Sequence, residues 1–411
     1  MMHIQNKNRL IVEVLKVFIF LLPLFYLSLI LASRIRYGVF FNLFLYVVVY
    51  LFHKRITTYG LFIMILLFLG MLIVDILYIS YSLQFPKKNY YSDGTVDYKP
   101  LQKLRQTDYG NLIDDCTIRF SKLRIIDYQI DELGYRNPPG SFEKSLMIVI
   151  GDSYTLGLIN SDSSWPAVLE KIIHKGVYNG GIANYGPLQT IKTLEKLLKM
   201  NIQNPDKKKC VIWMIYSGND LIDNSLVESQ EFHQRLNRFF DHWYLYFNER
   251  RPFSIWRQLF RKIDLLPANI KKNIRVLTIF SNDTVLVLED EIAQAHLTET
   301  EVLHHLHYTD LQESVLRFKE LTDFYDIQPL LVLAPSKADV YYELLNLPEY
   351  SGFRCIMNAL AQKYGVPILD LTQIFRIRAK SEDLYYRGDT HWNGIGNKLA
   401  AMEIAEFLYE E

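Results

Sequence analysis

The stretch that most constrains this chain is residues 146–157, LMIVIGDSYTLG. An apolar, partly β-branched run from Leu146 to Ile150 stops at Gly151-Asp152-Ser153, and a polar, amphipathic segment follows. A short strand with no polar alternation belongs in a parallel sheet covered on both faces, where it feeds a helix. The carboxyl end of such a strand is where open α/β sheets keep their ligands. Gly151 allows a sharp backbone turn and leaves room beside the serine. Ser153 then has two readings. It is a nucleophile presented at the strand end, or it forms an Asx-turn or helix N-cap with Asp152. The tripeptide alone favours the cap; the rest of the chain has to decide.

The α/β rhythm continues beyond it. A helix is expected over 164–174, with Pro166 near its start. A brief strand at 177–179 ends in Gly180-Gly181, and an amphipathic helix follows over 187–200 with Ile191, Leu194, Leu197 and Leu198 on one stripe. Residues 211–216 read as a buried strand. Further helices are expected at 310–325, from about 338, at 353–364 and from 393 to the carboxyl terminus, with strands at 329–334 and 367–371. Strands and helices alternating at this spacing make right-handed βαβ units and a parallel sheet. Residues 226–307 break the rhythm with many aromatic and basic residues. They read as an insertion, either a lid or membrane-proximal surface, or ordinary helices packed on the sheet edge.

The amino-terminal part is of another kind. Residues 10–31 and 60–79 are apolar runs of the length that spans a bilayer, and 39–51 is a shorter one. Nothing polar alternates within them, which argues against a soluble core. No small-residue cleavage site follows the first run, so it does not read as a signal peptide. The expected organisation is a membrane segment of three helices at 1–83, a polar linker at 84–125, and a catalytic domain at 126–411 that carries the insertion at about 226–307. Lys7, Arg9, Lys54 and Arg55 balance Arg34, Arg36, Lys87 and Lys88, so charge alone orients the spans poorly. Three spans with the amino terminus inside place the large domain outside the cytoplasm.

Composition excludes some classes. The chain has 45 basic and 45 acidic residues, and without a basic bias nothing points to nucleic acid. Cys116, Cys210 and Cys355 are too scattered for a disulfide framework or a zinc cluster.

A serine nucleophile needs a base, an acid to orient the base, and donors for the oxyanion. His391 lies in Gly388-Asp389-Thr390-His391-Trp392-Asn393-Gly394, just before the last helix, with Asp389 two residues away. Gly181 follows one strand and offers a backbone N–H. Asn219, in Ser217-Gly218-Asn219-Asp220, follows another and offers a side-chain amide. Each alone is a turn signal. Four such signals at strand ends or helix starts favour the nucleophile reading of Ser153.

The blocks Gly151-Asp152-Ser153, Asn179–Gly181, Gly218-Asn219-Asp220 and Asp389–His391 resemble, in order, the four blocks of the SGNH (GDSL-type) hydrolase superfamily. The resemblance covers about residue 134 onwards, apart from the insertion. It implies a flavodoxin-like three-layer α/β sandwich around a parallel sheet. It also implies Ser153 as nucleophile and oxyanion donor, Gly181 and Asn219 as the other donors, His391 as base and Asp389 as its partner. Asp152 and Trp392 would be neighbours of the site, and no metal or cofactor is implied. Most of the superfamily carries the acid three residues before the histidine, where this chain has Gly388. The Asp-Thr-His-Trp form, with Pro335-Ser336-Lys337 and Val340-Tyr341, is similar to the alginate O-acetyltransferase branch that acetylates envelope polysaccharides. The Pro335–Tyr341 stretch also reads simply as a strand-to-helix turn with a capping serine.

The expected activity is serine-based acyl transfer, with an O-acetyltransferase acting on a cell-envelope glycan placed first. A membrane-anchored esterase of glycans or lipids is the alternative, and an inert glycan-binding scaffold the third reading. Transfer would need an acyl donor, for which family analogy supplies a separate multi-span membrane acyltransferase. Trp392 and the insertion aromatics are candidates to stack on sugar rings. A base standing over about 8 Å from Ser153 would favour the scaffold.

Overall fold

The computed structural model describes residues 88–90, 95–108, 110–112, 124–200, 209–221, 274–279 and 283–410, with four helical positions between 66 and 73. The three apolar runs, Cys116 and residues 222–273 of the insertion lie outside the described residues, apart from those four positions. Among the described residues no helix is long and apolar enough to cross a membrane. The chain divides into two units, one of residues 1–83, 115–117 and 240–269 and the other of residues 84–114, 118–239 and 270–411. The second unit holds the α/β fold.

The described strands are β1 (Lys88–Tyr90), β2 (Val96–Tyr98), β3 (Lys103–Asp108), β4 (Arg124–Gln129), β5 (Ser145–Ile150), β6 (Gly176–Asn179), β7 (Cys210–Tyr216), β8 (Ile274–Thr278), β9 (Thr284–Leu288), β10 (Gln328–Ala334) and β11 (Ile368–Asp370). The helices used below are α1 (Ser153–Leu156), α2 (Trp165–Ile173), α3 (Pro187–Met200), α4 (Glu289–Ala295), α5 (Glu299–Leu303), α6 (Tyr308–Phe324), α7 (Lys337–Val340), α8 (Gly352–Tyr364), α9 (Thr372–Ala379) and α10 (Gly394–Glu410).

Strands β5, β6, β7, β10 and β11 form one parallel sheet in the order β11-β10-β7-β5-β6. Numbered by their appearance in the chain, these strands read 2-1-3-4-5 across the sheet, the flavodoxin-like doubly wound order. The winding reverses between β5 and β7, so a crevice opens at their carboxyl ends, and Ser153 follows β5 directly. Side chains alternate across the sheet as period two requires. Met147 and Val149 of β5, Ile212 and Met214 of β7, and Leu330 and Val332 of β10 face one core with α2, α9 and α10. Ile148 and Ile150, Val211 and Trp213, and Leu331 and Leu333 face the other, with α3, α6 and α8. Apolar sequence on both faces of every inner strand therefore produces a three-layer sandwich. Fully burying each such side chain contributes about 1.5–3 kcal/mol.

The segment expected to be a linker is partly folded. β1 pairs with β2, and β3 pairs with β4, both antiparallel. In β4 the buried Ile126 and Tyr128 flank the exposed Asp127, the alternation of a half-buried strand. The described end of the insertion is a β8–β9 hairpin followed by α4 and α5. Val285, Val287, Ile292 and Ala295 join the first core, so this part packs on the domain as ordinary structure. The hairpin is tied down where Leu286 N–H donates to the Arg387 carbonyl at 2.8 Å.

Candidate active site

The β5 run ends at Gly151, whose φ is +150° and whose missing side chain matters. A Cβ there would stand 2.3 Å from Thr155 Oγ1 and 2.6 Å from the Met214 carbonyl oxygen. Only glycine lets β5 turn into α1 this close to β7. Asp152 caps α1, accepting from Tyr154 N–H at 2.8 Å. The cap expected in this tripeptide is thus Asp152, and Ser153, as the first helical residue, is left to point elsewhere.

It points at His391. Ser153 Oγ lies 2.8 Å from His391 Nε2, and His391 Nδ1 lies 2.6 Å from Asp389 Oδ1. The same carboxylate oxygen accepts His391 N–H at 3.1 Å. The second oxygen, Oδ2, accepts from Arg124 Nη2. Serine, histidine and aspartate thus form a continuous hydrogen-bonded chain from two parts of the sequence 238 residues apart. This spacing between Ser153 and His391 is far inside the distance that would favour a scaffold.

Charge in this chain is controlled by burial and by its partners. Burial works against the His391 imidazolium, but the adjacent Asp389 carboxylate outweighs it and the pKa lies above 6.5. Burial also opposes the Asp389 charge, yet His391 and Arg124 hold its carboxyl well below the usual range. Asp152 goes the other way: burial raises its pKa in spite of the Tyr154 N–H and the nearby His391.

The loop carrying Asp389 and His391 is braced from several sides. Tyr154 O–H donates to the Thr390 carbonyl at 2.7 Å, and its ring centroid lies 5.0 Å from that of His391. Tyr385 O–H donates to the Pro335 carbonyl at 2.7 Å. The wholly buried Lys337 reaches the carbonyls of Leu286 (2.8 Å), Tyr386 (2.7 Å) and Arg387 (3.3 Å). Ser336 and Asp339 form a capping box on α7, so the turn-and-cap reading of 335–341 holds as local structure, while its lysine has a further task. Behind Tyr154, the Tyr216 ring stacks at 4.1 Å and its O–H donates to buried Glu291 at 2.6 Å. Burial pushes the Glu291 carboxyl up to about 7 and the Lys337 ammonium down to about 8.

The expected oxyanion donors are placed unequally. Asn219 sits, half-buried, in the turn at the carboxyl end of β7. Gly181 follows β6, but its N–H donates to Asn179 Oδ1 at 2.9 Å. It also packs on α1 so closely that a Cβ would lie 2.4 Å from Leu156 N. Gly181 therefore serves the turn first, and its N–H could reach an oxyanion only by being shared. Trp392 is a neighbour of the site but not a sugar platform. It is buried, edge-on to Tyr154 at 5.0 Å and 4.9 Å from Phe375. Its size and apolar surface drive it into the core between α9 and α1.

Sequence reasoning named Lys337 only as part of the segment resembling the alginate O-acetyltransferase branch, and it missed Arg124, Asn111 and Glu291. None carries a local signal, because each reaches the site across a long sequence separation. Asn111 and Thr390 exchange two hydrogen bonds, Nδ2 to Oγ1 at 2.8 Å and backbone N–H to Oδ1 at 3.0 Å, across 279 residues.

Residues 300–411 match the family described as SGNH hydrolase-like domain, acetyltransferase AlgX, a span that holds the Asp389–His391 block and the Pro335–Tyr341 stretch but not the three earlier blocks. No curated protein matches the chain. Among solved structures it is similar to a lipolytic protein of the G-D-S-L family from Veillonella parvula. Identity there is 12% and the TM-score 0.35, covering 64% of this chain and 98% of that one. It is also similar to the psychrotrophic esterase EstA from Pseudoalteromonas sp., at 9% identity and a TM-score of 0.33, covering 64% and 96%.

Proposed function

We propose that this chain, with its SGNH hydrolase-like domain related to the AlgX acetyltransferase, is a membrane-anchored serine O-acyltransferase that acetylates a cell-envelope glycan. The observation that carries the chemistry is the Ser153 Oγ–His391 Nε2 contact of 2.8 Å, continued through His391 Nδ1 to Asp389. Neutral His391 takes the Ser153 proton as Oγ attacks an acyl carbonyl. The tetrahedral oxyanion draws on the Ser153 N–H, the Asn219 amide and a shared Gly181 N–H. On collapse His391 returns the proton to the leaving group, and an acyl-serine remains. An acceptor hydroxyl then gives its proton to His391 and takes the acyl group, restoring Ser153. Asp389 stays ionised throughout and stabilises the imidazolium.

Transfer rather than hydrolysis is supported by the Asp-Thr-His-Trp form of the last block and by the three apolar runs that would tether the domain to a membrane. In this reading the domain faces away from the cytoplasm, and a multi-span membrane acyltransferase supplies the acyl group. The test uses the purified full chain with p-nitrophenyl acetate, with and without an envelope oligosaccharide. Ser153→Ala is expected to lower turnover by at least about 10³-fold, and mass spectrometry should find acetyl groups on the oligosaccharide only with the wild-type protein. Hydrolysis with every acceptor offered would replace the transferase with an esterase. Equal turnover in Ser153→Ala would remove both.

A further inference from the structure

We infer that Arg124 is a positioning residue for the reaction. It stands on the preceding β4 strand and, through Asp389, sets both the orientation and the proton affinity of His391. The inference rests on the acyl-transfer reading above and deepens it.

The geometry divides the Asp389 carboxylate in two. Oδ1 is used entirely by His391, through its ring Nδ1 and its backbone N–H. Oδ2 takes the Arg124 guanidinium. Both side chains are largely removed from water, 12% exposed for Arg124 and 2% for Asp389. A carboxylate held by one histidine alone can rotate about its Cβ–Cγ bond and exchange oxygens. One pinned at both oxygens cannot. The planar guanidinium is itself held flat, with its carbon 3.9 Å above the centroid of the Tyr386 ring. Tyr386 belongs to the same loop, its N–H donating to the His391 carbonyl at 3.1 Å. Arg124 therefore bridges the two limbs of the loop that carries acid and base.

The neighbouring segment reinforces this. Asn111 exchanges two hydrogen bonds with Thr390, between acid and base. Leu112 N–H donates to the Gly388 carbonyl at 3.1 Å. Gly110 approaches so closely that a Cβ would lie 2.3 Å from that carbonyl oxygen. The stretch before the sheet is thus fitted to the catalytic loop at Gly388, Asp389 and Thr390 in succession.

The electrostatic consequence follows from sign. The groups facing His391 are Asp389 and Thr390 of its own loop, Asp152, Ser153 and Tyr154 after β5, and Arg124 from β4. Glu291 of α4 acts through the buried interior. Asp389 and Asp152 favour the imidazolium, and Arg124 opposes it. Arg124 thus lets Asp389 stay charged without driving His391 so far up that it is no longer a neutral base near neutrality.

The test is acetyl-ester hydrolysis by the full chain, using p-nitrophenyl acetate from about pH 5 to 9, for wild type, Ser153→Ala, Arg124→Gln and Arg124→Lys. Arg124→Gln should lower kcat roughly tenfold to a hundredfold, the scale of one hydrogen bond to a charged group. KM should stay within about twofold, because Arg124 lies on the far side of Asp389 from Ser153. The acid limb of the profile should move to higher pH. Arg124→Lys keeps the charge without the planar fork. It should leave the limb in place while kcat falls severalfold, and it carries the test even where Arg124→Gln does not fold. Wild-type kcat in Arg124→Lys, or an unmoved limb in folded Arg124→Gln, overturns the inference and leaves Arg124 a packing residue. Equal turnover by wild type and Ser153→Ala overturns instead the acyl-transfer reading beneath it.

Discussion

Glu291 gives the most quantitative prediction. Its carboxyl is buried beneath the site, with Oε1 accepting the Tyr216 hydroxyl at 2.6 Å. Burial raises its pKa from 4.5 to about 7, against the Tyr216 hydrogen bond and the Lys337 charge, which pull it down. The folded protein therefore holds this proton more tightly than the unfolded chain does. The resulting stability is complete below pH 4.5, declines as pH rises from 4.5 towards 7, and is gone above. At about 1.4 kcal/mol per pH interval, 7 − 4.5 = 2.5 intervals amount to about 3 kcal/mol. Glu291→Gln stays neutral at every pH and still accepts from Tyr216. The unfolding free energy of the variant minus that of the wild type should therefore rise by about 3 kcal/mol between pH 4.5 and 8. Lys337, pushed down to about 8, loses the Glu291 attraction in the variant and releases its proton earlier, which changes the gap in the same direction. Urea denaturation followed by tryptophan fluorescence at half-unit pH steps measures the gap. Parallel stability curves for the two proteins across that range would refute the buried, protonated carboxyl.

Three further outcomes follow from the site. Because His391 has a pKa above 6.5 and must be neutral to accept the Ser153 proton, kcat/KM should fall on the acid side with a limb above 6.5; a pH–rate profile flat down to pH 5.5 would exclude His391 as base. Gly181→Ala places a Cβ 2.4 Å from the Leu156 backbone nitrogen, where no flexible side chain can give way, and should cost about 1–3 kcal/mol, read as a lower thermal midpoint. Lys337→Met removes the ammonium that the Leu286, Tyr386 and Arg387 carbonyls share and should lower stability by about 1–3 kcal/mol, with ester turnover falling as the loop loosens; an unchanged midpoint and unchanged turnover would exclude that tie.

What the sequence made legible was local. The wholly apolar runs of β5, β7 and β10 declared strands buried on both faces, and the amphipathic stripe at 187–200 marks α3 to the residue. Glycines and polar residues after those strands singled out Ser153 and Asn219 as candidates, and the glycine-framed turn singled out His391, which the fold brings to 2.8 Å from Ser153. What stayed hidden depends on distant pairing. Residues 84–125 are polar and carry prolines, so they read as a linker, yet β3 pairs with β4 and Arg124 reaches Asp389 across 265 residues. Trp392 looked available to a sugar because it adjoins the base, but only the fold shows Tyr154 and Phe375 enclosing it. Gly181 looked like an open donor because no local pattern shows that Asn179 Oδ1 turns back on its N–H.

The two-residue spacing of Asp389 and His391, where most of the superfamily the motifs resemble has three, has a physical resolution at Asp389. At this separation a carboxylate oxygen can accept the backbone N–H of the second residue on, the closed ring of an Asx-turn. Asp389 Oδ1 does this with His391 N–H at 3.1 Å and also takes the ring Nδ1 at 2.6 Å. One oxygen thus fixes the backbone and the imidazole of the same residue. The short spacing has a consequence: Oδ2 is turned away from the histidine and would be a buried, charged acceptor with nothing opposite it, which is costly. Arg124 meets that oxygen, and it can do so only because β4 and the Gly110–Leu112 stretch are fitted to the loop. A two-residue acid–base spacing and a folded approach to the domain are therefore two parts of one solution. A fragment beginning at residue 126 would keep the triad and lose the group that completes it. Its ester turnover should fall at least about tenfold to a hundredfold relative to a fragment beginning at residue 84, the scale of one hydrogen bond to a charged group, because the Asn111 and Leu112 ties to Thr390 and Gly388 go with Arg124. Equal kcat in the two fragments would show that Asp389 needs no partner at Oδ2.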